Sequence, residues 1–275
     1  MRISSLHIYP VKSGRGIDLE TSAVEARGLV GDRRWMIVDE HGIFITQRSH
    51  PKLAQLIALP RADGLELKLG AQNILVKQPI QTRANVQVWS SHVDALICDD
   101  NVNSALSEWL GENLSLAYMD DNADRQTDSE WGDGPVSFAD GYPILITTSA
   151  SLEALNEHII QTGDTPIPMS RFRPNIVIEG SKSWADDRWA TIQIGDLVLD
   201  LVKPCTRCGV TTLDQMTGVS QGQTSLAALH AIRKSGDRRV KGVLFGWNAI
   251  PRNKGRLNTG DKVSVLKRKA PWPIA

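Results

Sequence analysis

The densest chemistry in this chain lies in Lys203-Pro204-Cys205-Thr206-Arg207-Cys208-Gly209-Val210-Thr211-Thr212-Leu213-Asp214, which holds two of the three cysteines beside two cations. A C-x-x-C pair fits half a zinc site, a redox dithiol, or two small buried residues. A closed zinc site needs four N or S ligands; only Cys98 and six scattered histidines are left to complete one, none in paired spacing. A thioredoxin-like dithiol sits where a strand turns into a helix, whereas Gly209 to Leu213 is β-branched and reads as a strand. In a fourth reading one thiol is a metal ligand. Lys203 and Arg207 would lower a neighbouring thiol's pKa, and the thiolate is a soft ligand for polarisable metal centres.

Several other stretches have the residues to hold an anion. Pro10-Val11-Lys12-Ser13-Gly14-Arg15-Gly16 is a small-residue loop with two cations, where Gly14 and Gly16 allow a sharp turn or a close approach to a ligand. It lacks P-loop spacing. Gly28 to Arg34 is a second glycine-and-charge loop; its Arg33 and Arg34 read on their own as a solvated pair. Arg171 and Arg173, in Ser170-Arg171-Phe172-Arg173-Pro174-Asn175, would share a side if the segment is extended, and arginine's planar fork suits phosphate. In Thr147-Thr148-Ser149-Ala150-Ser151, hydroxyls precede a helical run, so Thr148 and Ser149 are either plain caps or part of an anion site at a helix N-terminus.

The elements that must position these groups are mostly strands. Ile3–Tyr9, Trp35–Asp39 with a return strand over Ile43–Thr46, Leu65–Leu69, Tyr142–Ile146, Ile176–Ile178, a hairpin over Ile192–Val202, Val243–Trp247 and Lys262–Leu266 all carry strand patterns. Asn103 would cap a short helix ending at Gly111, and Thr224 or Ser225 another. Many short strands with few helices predict a β-rich α+β fold containing a barrel. Asp120 to Gly134 is polar and acidic and marks the expected boundary between residues 1–122 and 123–275.

The totals exclude other classes. Thirty-one basic and 31 acidic residues leave no net field for nucleic acid or an anionic membrane. Eight tryptophans read as packing, since no basic stripe interleaves them. With three irregularly spaced cysteines, no signal segment and no membrane-length apolar run, a reducing, cytoplasmic setting is expected.

Taken in order, several motifs resemble one family. Ile8-Tyr9-Pro10-Val11-Lys12-Ser13, Gly31-Asp32-Arg33-Arg34-Trp35 and Thr46-Gln47-Arg48 are similar to the N-terminal domain of MOSC proteins. Phe172-Arg173-Pro174-Asn175-Ile176-Val177-Ile178, Cys205-Thr206-Arg207-Cys208 with Thr211-Thr212-Leu213-Asp214, Leu244-Phe245-Gly246 and Gly260-Asp261 are similar to the MOSC domain, in its amidoxime-reducing branch. The resemblance implies a β-barrel MOSC domain packed with an N-terminal β-rich domain, and a pterin molybdenum cofactor (molybdopterin) with a terminal phosphate. It makes Cys208, rather than Cys205, the metal ligand. Lys12, Ser13, Arg33, Arg173 and Asn175 would bind the cofactor, with Thr148 and Ser149 in the segment lining the metal pocket, Asp140 to Ser149. Asp140 and Arg207 would tune the metal. A pyridoxal phosphate association is a second label that goes with the resemblance.

The implied activity is reduction of a small N-hydroxylated substrate, N–OH to N–H; the alternative is a non-catalytic carrier of the cofactor, or of sulfur on Cys208. Gly141 and Tyr142 replace small hydroxyl residues of the amidoxime-reducing relatives, a departure that bears on substrate choice. Some bacterial relatives carry a ferredoxin domain with its own cysteine cluster. None follows in this sequence, so electrons are expected from a separate ferredoxin or flavoprotein reductase, with no nucleic acid or membrane as partner.

Overall fold

Alternating and β-branched runs, broken by Gly, Pro and Asn, fold into eighteen strands and three α-helices in the computed structural model, which describes residues 1–275. The first half holds β1 (Arg2–Ile8), β2 (Ile17–Leu19), β3 (Thr21–Glu25), β4 (Gly28–Leu29), β5 (Trp35–Asp39), β6 (Ile57–Arg61), β7 (Gly64–Leu69), β8 (Gln72–Lys77), β9 (Arg83–Val88), β10 (Ser91–Ile97), α1 (Asp100–Leu110) and β11 (Leu114–Tyr118). The second holds β12 (Ile144–Thr148), α2 (Ser149–Gln161), β13 (Ile176–Glu179), β14 (Trp189–Ile194), β15 (Leu197–Thr206), α3 (Thr224–Ile232), β16 (Leu244–Pro251), β17 (Gly255–Asn258) and β18 (Val263–Arg268).

Eight strands form one sheet in the order β18-β14-β15-β16-β12-β13-β1-β2. The sheet curls until β1 meets the start of β18. Arg2 bridges Lys262, the Ile3 N–H donates to Asp261 O, and the Val263 N–H donates to Met1 O, both at 3.0 Å. Closure of this kind removes the unpaired edges that an open sheet would expose. Ile3, Leu6, Ile146, Ile178, Trp189 and Trp247 are among the side chains filling the interior. The one parallel pair, β12 with β13, is joined through α2, as a parallel connection requires.

Residues 1–29 belong to this second-half assembly: β1 pairs with β13, and β3 pairs with β17. A division of the chain at 122/123 is therefore crossed by hydrogen-bonded strands. The rest of the first half builds two smaller sheets, β5-β11-β10-β9 and β6-β7-β8. They pack with α1 around Trp35, Ile37, Leu53, Leu67, Leu106 and Leu116.

Some local expectations need correction. Asp99, not Asn103, caps α1, accepting from the Val102 N–H. Asn103 lies a turn inside and bonds Cys98 O and the Leu116 N–H instead. Gly111 ends α1 at φ 86°, as read. Ile43–Thr46 makes only single bridges, Phe44 to Val38 and Ile43 to Gln87. Neither Thr224 nor Ser225 caps α3; the Ser225 hydroxyl donates to Thr211 O. No helix is long and apolar enough to cross a membrane.

Candidate active site

At one end of the barrel, loops from both halves line a single cleft. Lys12 and Ser13 follow β1, Arg33 precedes β5, and Trp89 sits in the β9–β10 turn. Asp140, Gly141, Tyr142 and Leu145 lead into β12, Arg173 and Asn175 precede β13, and Cys205 to Cys208 lie at the end of β15. Most of the residues expected to meet do so: Lys12, Ser13, Arg33, Asp140, Arg173, Asn175, Arg207 and Cys208 line this cleft, whereas Thr148 and Ser149 do not.

Their arrangement is a buried cationic cradle. Lys12 is 5% exposed and donates to Phe138 O at 2.8 Å and Asp140 Oδ1 at 2.6 Å. Burial lowers the Lys12 pKa and Asp140 opposes that fall. Asp140 stands deep but open to the cleft. Its crowded setting pulls its pKa up, yet Lys12 and Arg33 outweigh this and hold the carboxyl well below its ordinary range.

Arg33 donates to Asp32 Oδ2 at 2.6 Å and to Asn175 Oδ1 at 3.1 Å. Asn175 is fully enclosed. It accepts from the Leu145 N–H and donates to His7 O, so it welds β1, β12 and β13 beneath the cleft. The Arg33 and Arg173 guanidiniums both lie 4.2 Å from the Tyr9 ring centroid. Tyr9 is buried, its hydroxyl donates to Pro174 O, and burial pushes its pKa to about 12. Gly16 makes room for that ring rather than for a ligand, since a Cβ there would sit 2.7 Å from Tyr9 Cε1.

Arg173 has no carboxylate partner; its side chain donates only to Gln215 Oε1, at 2.9 Å. Desolvation in the cleft pushes its pKa down to about 10. The cleft wall carries Lys12, Arg33, Arg48, Arg173 and Arg207 against the single carboxylate of Asp140. In a chain of zero net charge, that imbalance is local.

Backbone strain concentrates here as well. Five non-glycine residues have positive φ, and four of them, Ser13 (65°), Arg33 (47°), Trp89 (55°) and Arg173 (53°), line the cleft. Each such residue costs of order 1–3 kcal/mol and persists only where its surroundings over-determine it.

The cysteine segment departs from its reading. Cys205 and Thr206 end β15, and Gly209–Thr212 is a 3-10 turn rather than a strand. The Thr211 and Thr212 hydroxyls donate back to Cys208 O and Gly209 O, at 3.0 and 2.7 Å. Such side-chain bonds compete with extended pairing. Lys203 does not serve the thiols; it faces Trp131 and Asp128. Arg207 donates to Cys205 Sγ at 2.8 Å and to Phe172 O at 2.6 Å, and burial nevertheless raises the Cys205 thiol. Cys208 is exposed at the rim.

Two further expectations fail. Thr148 and Ser149 lie outside the cleft: Thr148 is the buried cap of α2, accepting from the Ser151 N–H, and Ser149 borders a separate surface hollow with Arg2. Plain capping accounts for Thr148, and Ser149 is simply the first residue of α2. Arg171 and Arg173 do not share a side, because Met169–Phe172 is a 3-10 turn; Arg171 is buried and donates to Thr211 O.

The sequence reading also missed supporting residues. Arg125, inside the acidic 120–134 stretch, is buried and donates to the carbonyls of Ser137, Ala139 and Asp140. Gln47 donates to Ser13 O and accepts from Gln215 Nε2, spanning the two halves beneath the cleft. A buried arginine amid acidic residues gives a signal for the first. Nothing in the sequence pairs Gln47 with Gln215.

No three His, Cys, Asp or Glu side chains stand together to hold a metal ion, so a zinc site has no residues to build it. A metal here would have to bring ligands of its own and take one thiol from the protein. Arg173 without a carboxylate, and Arg207 with a buried, unpartnered Nε, suit an anionic organic group. The residues fit a phosphate-bearing cofactor.

A closed barrel joined to a smaller β-rich unit, with cations and a rim thiol in the cleft between them, defines an α+β protein with a cationic cleft. The chain matches the MOSC N-terminal beta barrel domain over residues 1–113 and the MOSC domain over residues 133–264; it belongs to the MOSC family. It is 30% identical over 286 residues to human mitochondrial amidoxime-reducing component 1, covering 96% of this chain and 82% of that protein. Human mitochondrial amidoxime reducing component 2 is 28% identical over 279 residues, covering 95% and 82%. A molybdenum cofactor sulfurase of Oryza sativa is 26% identical over 297 residues, which is 98% of this chain and 35% of that protein.

Proposed function

We propose that this protein is a molybdenum cofactor-dependent oxidoreductase that reduces N-hydroxylated compounds with electrons from a separate donor protein. The observation that carries the reading is Arg173, half-buried beside Arg33 with no carboxylate of its own, in a cleft that ends at the exposed thiol of Cys208. The amidoxime-reducing relatives support the reaction class.

Arg33 and Arg173 hold the cofactor phosphate, with Ser13 and Asn175 beside them. Charge-assisted hydrogen bonds contribute about 1.5–3 kcal/mol each, so three or four donors suffice for tight retention. Lys12 fixes Asp140 in the wall, and Cys208 is the one thiol the protein supplies to the metal. When bound, the cofactor supplies two-electron chemistry at a soft metal centre. Overall, N–OH becomes N–H with two electrons and two protons taken up and one water released. Arg207, held between Cys205 and Phe172 O, keeps a positive charge next to Cys208. A cytoplasmic setting remains part of this proposal. Pyridoxal phosphate has no support in the cleft, where the one lysine, Lys12, is already engaged by Asp140 and Phe138 O.

Protein loaded in a cofactor-making host, given a chemical reductant and benzamidoxime, should yield benzamidine. Fully loaded protein without turnover sinks this reading. The exposure of Cys208 favours a second one, in which the thiol passes cofactor or a persulfide sulfur to a partner. A persulfide on Cys208 found by mass spectrometry, in protein free of molybdenum, would select it.

A further inference from the structure

We propose that Trp89 and Arg48 form a substrate-selecting wall at the mouth of the cleft, favouring flat, conjugated N-hydroxylated compounds that carry an anionic group. This deepens the reductase reading and rests on it.

Trp89 is the first residue of a two-residue turn, because Val88 pairs with Ser91. That position calls for positive φ and is normally given to Asn or Gly. Here it is tryptophan at φ 55°, a conformation a bulky side chain avoids. Core packing does not explain the choice, since Trp89 is 39% exposed. Its indole is instead fixed in the cleft. Nε1–H donates to Asp140 Oδ1 at 3.2 Å, and the Phe44 ring stands 5.0 Å away, tilted by 60°.

Arg48 completes the wall. Its guanidinium lies 4.8 Å from the indole centroid, is exposed, and meets no carboxylate or carbonyl of the chain. A guanidinium stacked on an aromatic ring keeps its in-plane donors free for a carboxylate or phosphate. Depth separates this pair from the cradle. Asn175 is buried and Arg33 nearly so, whereas Trp89 and Arg48 are open at the mouth, as is Cys208. A ligand's phosphate seated on the buried cations leaves the outer pair for whatever enters next.

The test is calorimetric binding to cofactor-loaded, unreduced protein, where no turnover occurs. The probes are 4-carboxybenzamidoxime, benzamidoxime and acetamidoxime, in that expected order of affinity. The carboxylate should add about tenfold, the scale of one charge-assisted hydrogen bond. Arg48→Gln should abolish the carboxylate advantage and keep the aromatic one. Trp89→Asn, whose new residue tolerates the turn, should abolish the aromatic advantage, with molybdenum and pterin content unchanged in both variants. Equal affinities in the wild type, or loss of cofactor from either variant, overturn the proposal. The expected order in protein that fails to reduce benzamidoxime supports the wall and sinks only the reductase reading.

Discussion

Lys12 Nζ lies 2.6 Å from Asp140 Oδ1, tying the loop after β1 to the loop before β12 across the cleft wall. The bond is asymmetric, because the lysine is buried and the carboxylate is open to solvent. Asp140→Asn would leave the ammonium an amide oxygen and Phe138 O as acceptors but no counter-charge. Solvent screening on the Asp140 side brings the cost below the usual range for charge-assisted bonds, to about 1 kcal/mol. Urea unfolding of the variant should show an unfolding free energy lowered by that amount, with an unchanged slope.

Arg173 makes the opposite prediction, since its charge is uncompensated. Pyrophosphate should stabilise the cofactor-free protein, by about 2.7 kcal/mol when present at 100 times its Kd. Arg173→Met should erase that stabilisation while leaving the ligand-free melting temperature nearly unchanged. A thermal-shift titration of both proteins reads it directly.

Arg125 supports the wall from behind. Three carbonyls, on Ser137, Ala139 and Asp140, depend on its guanidinium. Arg125→Met strands them and should cost about 2–4 kcal/mol, more than the loss of Asp140 itself. Chemical unfolding measures the loss, and cofactor content should fall with it.

A pH dependence comes from the far side of the barrel. Asp187 is paired with Arg233 at 2.8 Å and receives the Trp247 indole N–H, whereas the adjacent Asp186 has only the Ser151 hydroxyl at 3.5 Å. Burial, with Asp187 adding repulsion, raises the Asp186 carboxyl from 3.8 to about 7. The folded protein thus binds a proton that the unfolded chain releases between pH 4 and 7, so this group's contribution to stability declines as pH rises through that window. Lys269, lowered by burial from 10.5 to about 7, changes the balance only above it. Asp186→Asn should therefore gain on the wild type from pH 4 to 7, by at most about 1.4 kcal/mol per pH unit. Urea midpoints across that range check the sign.

How far the sequence carries the structure depends on the range of the interaction. Strand patterns and the Gly111 stop were legible from residue type and spacing, whereas Lys12, Arg33 and Arg173 were singled out by the family resemblance. The 3-10 turn after Cys208 was not legible, because β-branched Thr211 and Thr212 look like strand formers until their hydroxyls are seen bonding three residues back. Likewise, Arg171 and Arg173 were separated by a turn whose αL end at Arg173 has no local signal. Thr148 and Ser149 carried the right chemistry for an anion site and the wrong location, since only the sheet order decides which end of β12 faces the cleft. The contacts of Gln47 with Gln215 and of Trp89 with Asp140 depend wholly on how the two halves meet.

The central claim is that Cys208 alone of the three thiols ligates molybdenum within this cationic cleft. X-ray absorption at the molybdenum edge, on protein loaded in a cofactor-making host, tests it most directly. The account predicts that Cys208→Ser removes one sulfur neighbour from the metal and that Cys205→Ser removes none. An unchanged sulfur shell in Cys208→Ser, or its loss in Cys205→Ser instead, would contradict it.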